Sequence, residues 1–243
     1  MLFRGLMGRL GVISGTLALQ GKDAFGKLRK ECLETGFGAA QVLYSPNIAL
    51  IPRHGCDPNY HILPHRINHQ ANLMALKMLD VDEVIGINST GSLKNELNPG
   101  AIVIPNDFIM IFGGPTAIEA KPVHIAPEIN DGVRQKAIDA ARSAGIDIVD
   151  SGIYWQTQGP RLETRSEIRL MSRFADVVGM TMASEAVIAQ ELGVPYASVC
   201  SVDNFAHGIG RQKLTMESIL EHARRNTDAI LKILLQYLDS RTT

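Results

Sequence analysis

What the sequence lacks narrows it first. The chain has 243 residues and only three cysteines, Cys32, Cys56 and Cys200, none in a C-x-x-C pair. So scattered and odd a set excludes a disulfide framework and reads as reduced thiols in a cytoplasmic protein. No run approaches the roughly 18 apolar residues that a membrane span needs. The opening MLFRGLMGRL lacks the apolar length and small-residue cleavage site of a secretion signal. A formal net charge of −1 removes any electrostatic case for nucleic acid or an anionic membrane. No repeat, low-complexity tract or Pro/Gly-rich linker divides the chain. No G-x-G-x-x-G follows a strand, which argues against a dinucleotide-binding domain.

What is there is ordinary globular material, 45% hydrophobic and 20% charged, enough to bury a full core as one domain over residues 1–243. Apolar runs at Leu10–Ile13, Asn47–Pro52, Val81–Asn88, Ala101–Pro105, Val177–Met180 and Tyr196–Val202 read as buried strands. Asp147–Gln158 alternates like a strand. Helical spacing predicts helices at Lys22–Thr35, 65–80, Ile129–Ala144, Ala186–Leu192 and Thr215–Leu238. Strands alternating with helices predict an α/β fold, a central mixed and twisted sheet, partly barrel-like, flanked by helices.

In such folds ligands sit beyond the carboxyl ends of strands. Polar groups gather at those ends here. Ser14-Gly15-Thr16 follows the first strand, Arg53-His54-Gly55 the second and Ser89-Thr90-Gly91-Ser92 the third. Hydroxyls, exposed turn amides and a guanidinium fork together suit an anion, although each alone also reads as a tight turn or a surface arginine. Met180-Thr181 and Asp203-Asn204 end two more strands. Thr181 and Ser184 can cap the helix that follows, with Glu185 in its first turn. Glu163, behind Gly159-Pro160, reads equally as a first-turn helix stabiliser. His61, His65 and His69 fall four apart, but Pro64 breaks the run and no nearby carboxylate or cysteine completes a ligand set, so no metal is expected.

IPRHG (51–55), PHRINHQANLMALK (64–77), INSTGSL (87–93), TQGPRLET (157–164), VVGMTMASEAVIAQELGVPYAS (177–198) and SVDN (201–204) occur in this order. Jointly they resemble the trimeric purine nucleoside phosphorylase family, most of all its 5′-methylthioadenosine and 5′-methylthioinosine phosphorylase branch. The resemblance implies a homotrimer that cleaves a purine nucleoside with inorganic phosphate, a co-substrate, and no cofactor. It implies phosphate held by Thr16, Arg53, His54, Ser89 and Thr181. It places Met180 under the ribose, Thr90, Gly91 and Ala206 along the nucleoside, Leu162 and Phe205 beside the base, and Asn204 and Glu163 on the purine. Met216 and a neighbouring subunit's His124 would meet the 5′ substituent. Where the family reads Gly-Gly-Thr-Gly this chain has Ser14-Gly15-Thr16-Leu17, a departure that bears on the phosphate loop.

Donor and acceptor logic then selects the purine. A 6-oxopurine presents N1–H as a donor, whereas a 6-aminopurine presents N1 as an acceptor, so the Glu163 carboxylate suits the former. The expected substrate is a 6-oxopurine nucleoside such as S-methyl-5′-thioinosine, with methylthioadenosine, inosine or guanosine as the alternatives. A nucleoside hydrolase and a silent nucleoside-binding protein are the rival classes.

Overall fold

The computed structural model describes residues 8–15, 23–57, 59–120, 122–210 and 216–241, without the side chains of 216–220 and 222–225. Ten strands join in one mixed sheet, in the order β2-β3-β4-β1-β5-β9-β8-β7, with β10 on β5 and β6 on β10. They are β1 (Arg9–Ser14), β2 (Arg29–Thr35), β3 (Gly38–Tyr44), β4 (Ile48–Pro52), β5 (Val81–Ser92), β6 (Ile102–Val103), β7 (Asp107–Ile109), β8 (Ile153–Gln156), β9 (Val177–Gly179) and β10 (Tyr196–Phe205). The helices are α1 (His69–Met78), α2 (Asp131–Ser143), α3 (Arg165–Met171), α4 (Met182–Glu191) and α5 (Met216–Ser240).

β5 is the hinge of the topology. β1 runs parallel beside it from Arg9 to Ser14, where the pairing ends opposite Ile87. β9 then takes over, antiparallel, at Gly91 and Ser92. β10 runs parallel to β5 from Val84 to Ser92. The sheet therefore forks, leaving Asn88–Thr90 of β5 between the end of β1 and the start of β9. One hydrophobic cluster lies around β1, β5, β10, α2 and α5, and a smaller one holds Leu93, Trp155, Ile168, Met171 and Val178 on the β8–β9 side.

The continuous apolar runs became strands because parallel strands covered by helices bury both faces. Three expectations fail. Lys22–Thr35 is not a helix: after a 3₁₀ turn at Asp23–Phe25, Arg29–Thr35 pairs antiparallel with Gly38–Tyr44 around a two-residue loop. This edge hairpin is mostly exposed, so it carries no apolar stripe to announce it, and cross-strand pairing overrides the local helical spacing. Ser89–Ser92 is not a turn but the end of β5, with Thr90, Gly91 and Ser92 buried. Its small side chains serve close approach: a Cβ on Gly91 would stand 3.0 Å from the Asn204 amide nitrogen. The 65–80 helix starts later, at His69, because Asn68 caps it by accepting from the Ala71 amide.

Shorter elements also contract. Ala101–Pro105 keeps two strand residues and Asp147–Gln158 keeps four. α3 begins at Arg165, capped by Thr164 in a capping box with Glu167, so Glu163 lies ahead of the helix and is not its first-turn acid. The predicted helix over Thr215–Leu238 extends as α5 to Ser240 and buries Ile230, Ile233 and Leu234. No helix among the described residues is long and apolar enough to cross a membrane.

Gly86 in β5 has a packing reason. A Cβ there would stand 2.0 Å from the Tyr196 hydroxyl. Gly86→Ala is expected to destabilise the fold by about 1–3 kcal/mol through overpacking, read as a lower denaturant midpoint at unchanged slope.

Candidate active site

A cavity of about 300 Å³ opens in the fork. It is lined by Gly15 with Arg53 and His54 beside it, by Ser89 and Thr181, by Gly91 with Asn204 and Ala206 beside it, by Gly179, Met180 and Leu162, and by Glu163 bonded to His207. Thr90 joins the lining, with its hydroxyl donating to the Ser201 carbonyl at 2.9 Å. Thus β1, β5, β9 and β10 all deliver their carboxyl ends to one mouth, as their order in the sheet requires. A larger cavity of about 540 Å³, lined by Asp82, Glu83, Lys136 and Arg241, lies at the other end of β5. There Glu83 pairs with Lys136 at 2.7 Å and with Arg241, so the charges neutralise one another.

Arg53 is buried, and its guanidinium is not the free fork that the sequence suggests. Nε and one terminal nitrogen donate to the two carboxylate oxygens of Glu185 at 2.6 and 3.0 Å. The terminal nitrogens also donate to the carbonyls of Ile87 (2.7 Å) and Ile13 (3.2 Å). Among the described residues, one of the five Arg53 N–H groups is left for the cavity, on the nitrogen that faces Gly15. Glu185 is fully buried; burial pushes its carboxyl up in pKa, and Arg53 pulls it back.

His54 donates from Nδ1 to the Ile62 carbonyl at 2.7 Å, because a carbonyl can only accept. Burial, with Arg53 adding to it, lowers the imidazole to about 4, and the His61 ring stacks on it with centroids 4.3 Å apart. His54 is therefore neutral near pH 7, with Nε2 on the side of Gly15. Of the other histidines in the spaced triplet, His65 is exposed and His69 is buried. Among the described residues no group of three His, Cys, Asp or Glu gathers as a metal would require.

Thr181 stands at the cap position of α4 but makes no side-chain capping bond. Its hydroxyl oxygen instead accepts from the Asn88 amide at 2.8 Å, and Ser198 donates to the other end of that amide at 2.7 Å. Ser184, the second cap candidate, is buried and bonded to Gln156.

Glu163 is buried, and its Oε1 accepts from the Thr157 hydroxyl at 2.7 Å. Asn204 lines the cavity, whereas Asp203 is buried beneath it and accepts from the Ser89 and Ser201 hydroxyls. The amide, not its acidic neighbour, faces the cavity. Phe205 does not line it. Strand alternation turns Asn204 and Ala206 inward and Phe205 the other way, over Gly210, where a Cβ would meet its ring at 2.8 Å. His124 is exposed outside the cavity. Thr16 and the Met216 side chain lie outside the described residues, as does Leu17.

Three residues were missed. Glu185 was read as a first-turn helix acid, Asn88 as a strand end, and His207 not at all. His207 joins the cavity wall and is held between the Glu163 carbonyl (3.2 Å) and Arg165 Nε (3.3 Å). The one available signal was a charged residue in the otherwise apolar EAVIA of α4.

The forked mixed sheet, with donors and a carboxylate beside an amide lining one strand-end cleft, is an α/β architecture whose cleft suits an anion beside a polar ring. More particularly, the chain belongs to the phosphorylase superfamily, whose family model matches residues 16–239. It is 41% identical to a probable 6-oxopurine nucleoside phosphorylase of Archaeoglobus fulgidus, over 92% of this chain and 93% of that one. It is 36% identical to a probable S-methyl-5′-thioinosine phosphorylase of Methanocaldococcus jannaschii, over 87% and 85%. Among solved structures it is similar to methylthioadenosine phosphorylase of Schistosoma mansoni in complex with adenine, with a TM-score of 0.86, 25% identity and coverage of 96% and 91%.

His54 and His69 carry a pH signature. Burial lowers them to about 4 and about 3, so both are neutral in the folded chain, while the unfolded chain protonates them below about pH 6.5. The unfolded state then binds more protons, and stability falls as the pH drops from about 6.5 toward about 4. His69→Phe is expected to flatten this dependence in urea-midpoint measurements at about pH 7 and about pH 5.

Proposed function

We propose that this protein is a purine nucleoside phosphorylase that transfers the pentosyl group of a 6-oxopurine nucleoside to inorganic phosphate, with S-methyl-5′-thioinosine as the preferred substrate. The carrying observation is that one cavity is lined both by Arg53, His54 and Thr181 and by Glu163 and Asn204. A nucleoside fits between them with phosphate behind its C1′ and the purine outward.

Hydrogen phosphate attacks C1′ as the glycosidic bond breaks, and the bonding pair leaves with the purine. The phosphate loses its proton and the departing base gains one. Positive charge grows on the sugar and negative charge on the purine, so both sets of residues act on charge that develops in the transition state. The Met180 side chain beneath the sugar offers an apolar face without competing hydrogen bonds. The Asn204 amide donates toward the purine N7 or O6, and the free Glu163 oxygen accepts from N1–H. Both choices favour a 6-oxopurine over adenine. The two curated relatives named for 6-oxopurine and methylthioinosine phosphorolysis support the same reading.

A second cavity of about 380 Å³ adjoins the first across Pro64 and Met180, and adds the Met110 thioether and the Phe112 ring. Its lining is mixed, with His65, His69, Gln156, Thr157 and Ser184 beside them, and the Met110 and Phe112 side chains are the part of it that suits a 5′-methylthio group. Steady-state rates with methylthioinosine, methylthioadenosine, inosine and adenosine, with and without phosphate, test the whole proposal. Methylthioinosine with phosphate is expected to turn over fastest. Faster methylthioadenosine would overturn the oxopurine assignment, indifference to the methylthio group would overturn the 5′ assignment, and phosphate-independent base release would mean a hydrolase.

Glu163→Gln removes the acceptor for N1–H and sets an amide N–H or a weaker acceptor in its place. The expected loss in kcat/KM on the 6-oxopurine substrate is about 1.5–3 kcal/mol, with little change on methylthioadenosine.

A further inference from the structure

We infer that Glu185 and Asn88, neither of which reaches the cavity, are positioning residues that aim the donors of the phosphate end; this rests on the reading of that end as the phosphate site. The inference begins with what the two residues leave over. Glu185 and two backbone carbonyls engage four of the five N–H groups of Arg53, so a single N–H is directed at the Gly15 side of the cavity. A guanidinium held by a bidentate carboxylate cannot rotate its fork toward an anion. It offers one donor in a set direction, on a cation whose charge the carboxylate balances.

Asn88 does the same for Thr181. Ser198 donates to its Oδ1 at 2.7 Å, which turns its amide nitrogen toward Thr181 Oγ1 at 2.8 Å. The threonine oxygen is then an acceptor for Asn88, and its hydroxyl hydrogen points elsewhere, as a donor on the cavity side. The relay is built into the core. Tyr196 donates to Glu185 at 2.8 Å, in space that Gly86 leaves open. Glu185, Asn88, Tyr196 and Ser198 are each almost wholly buried and come from α4, β5 and β10.

The readout is the Michaelis constant for phosphate set against that for the nucleoside. Glu185→Gln keeps the shape but faces a terminal Arg53 nitrogen with an amide NH₂. Asn88→Asp keeps the shape but can only accept, so the Thr181 hydroxyl donates inward and is withdrawn from phosphate, and Glu185, which also accepts from the Asn88 amide, loses that bond and meets a second carboxylate. Each variant is expected to raise KM for phosphate at least about tenfold while KM for the nucleoside stays within about twofold. In a double-mutant cycle, Thr181→Val is expected to add little to Asn88→Asp, because both remove the same donor.

Equal rises in both constants, or no rise in either, in variants with wild-type circular dichroism would overturn the inference, as would full additivity in the cycle. If Glu185→Gln does not fold, the cycle on Asn88 and Thr181 decides alone. Failure of the functional reading itself looks different: the unmodified protein would show no phosphate-dependent turnover.

Discussion

A guanidinium and a carboxylate, both withdrawn from water, hold this candidate active site together. Burying either Arg53 or Glu185 alone would be strongly unfavourable; a buried charge left without its partner typically costs about 3–5 kcal/mol. Together they form two charge-assisted hydrogen bonds, and the remaining donors of Arg53 reach the carbonyls of Ile13 and Ile87. The pair therefore joins α4 to the loop after β4 and to the ends of β1 and β5. These are the elements whose ends form the Arg53 side of the cleft. A shift of any one of them would strand a charge, so the geometry of the mouth is tied to the stability of the core.

The cleft exists because β5 changes partners. β1 leaves its edge at Ile87 and β9 arrives at Gly91, and a cavity opens over the residues between them. Small residues make the change possible. Gly86 admits the Tyr196 hydroxyl, Gly91 admits the Asn204 amide, and a Cβ on Gly179 would meet the Tyr154 hydroxyl at 2.3 Å. The parts of the cleft then differ in kind. Neutral His54, compensated Arg53 and the Thr181 hydroxyl make one part a set of directed donors and acceptors with little net charge, and Glu163 with Asn204 sets a carboxylate beside an amide in another.

Much of the cavity lining was legible in advance. Arg53, His54, Ser89, Met180, Thr181 and Asn204 follow apolar runs, and a buried strand in an α/β sheet points its carboxyl end at the ligand. The choice between Asp203 and Asn204 was not legible, because adjacent strand residues face opposite ways and the register is set by β5. Phe205 and the edge hairpin at Arg29–Thr35 failed for related reasons. A side chain's face depends on its partner strand, and an exposed edge has no apolar pattern to read.

Composition and pattern by themselves determined an α/β chain with polar groups at strand ends, and the six segments read together marked the enzyme family it resembles. These properties follow from local periodicity and residue type, which need no knowledge of neighbours. The folded chain alone decided which of those groups work together. Arg53 and Glu185 are separated by 132 residues and Asn88 and Thr181 by 93, yet each pair is in hydrogen-bond contact. Local spacing does not encode such distances; the order of strands in the sheet does.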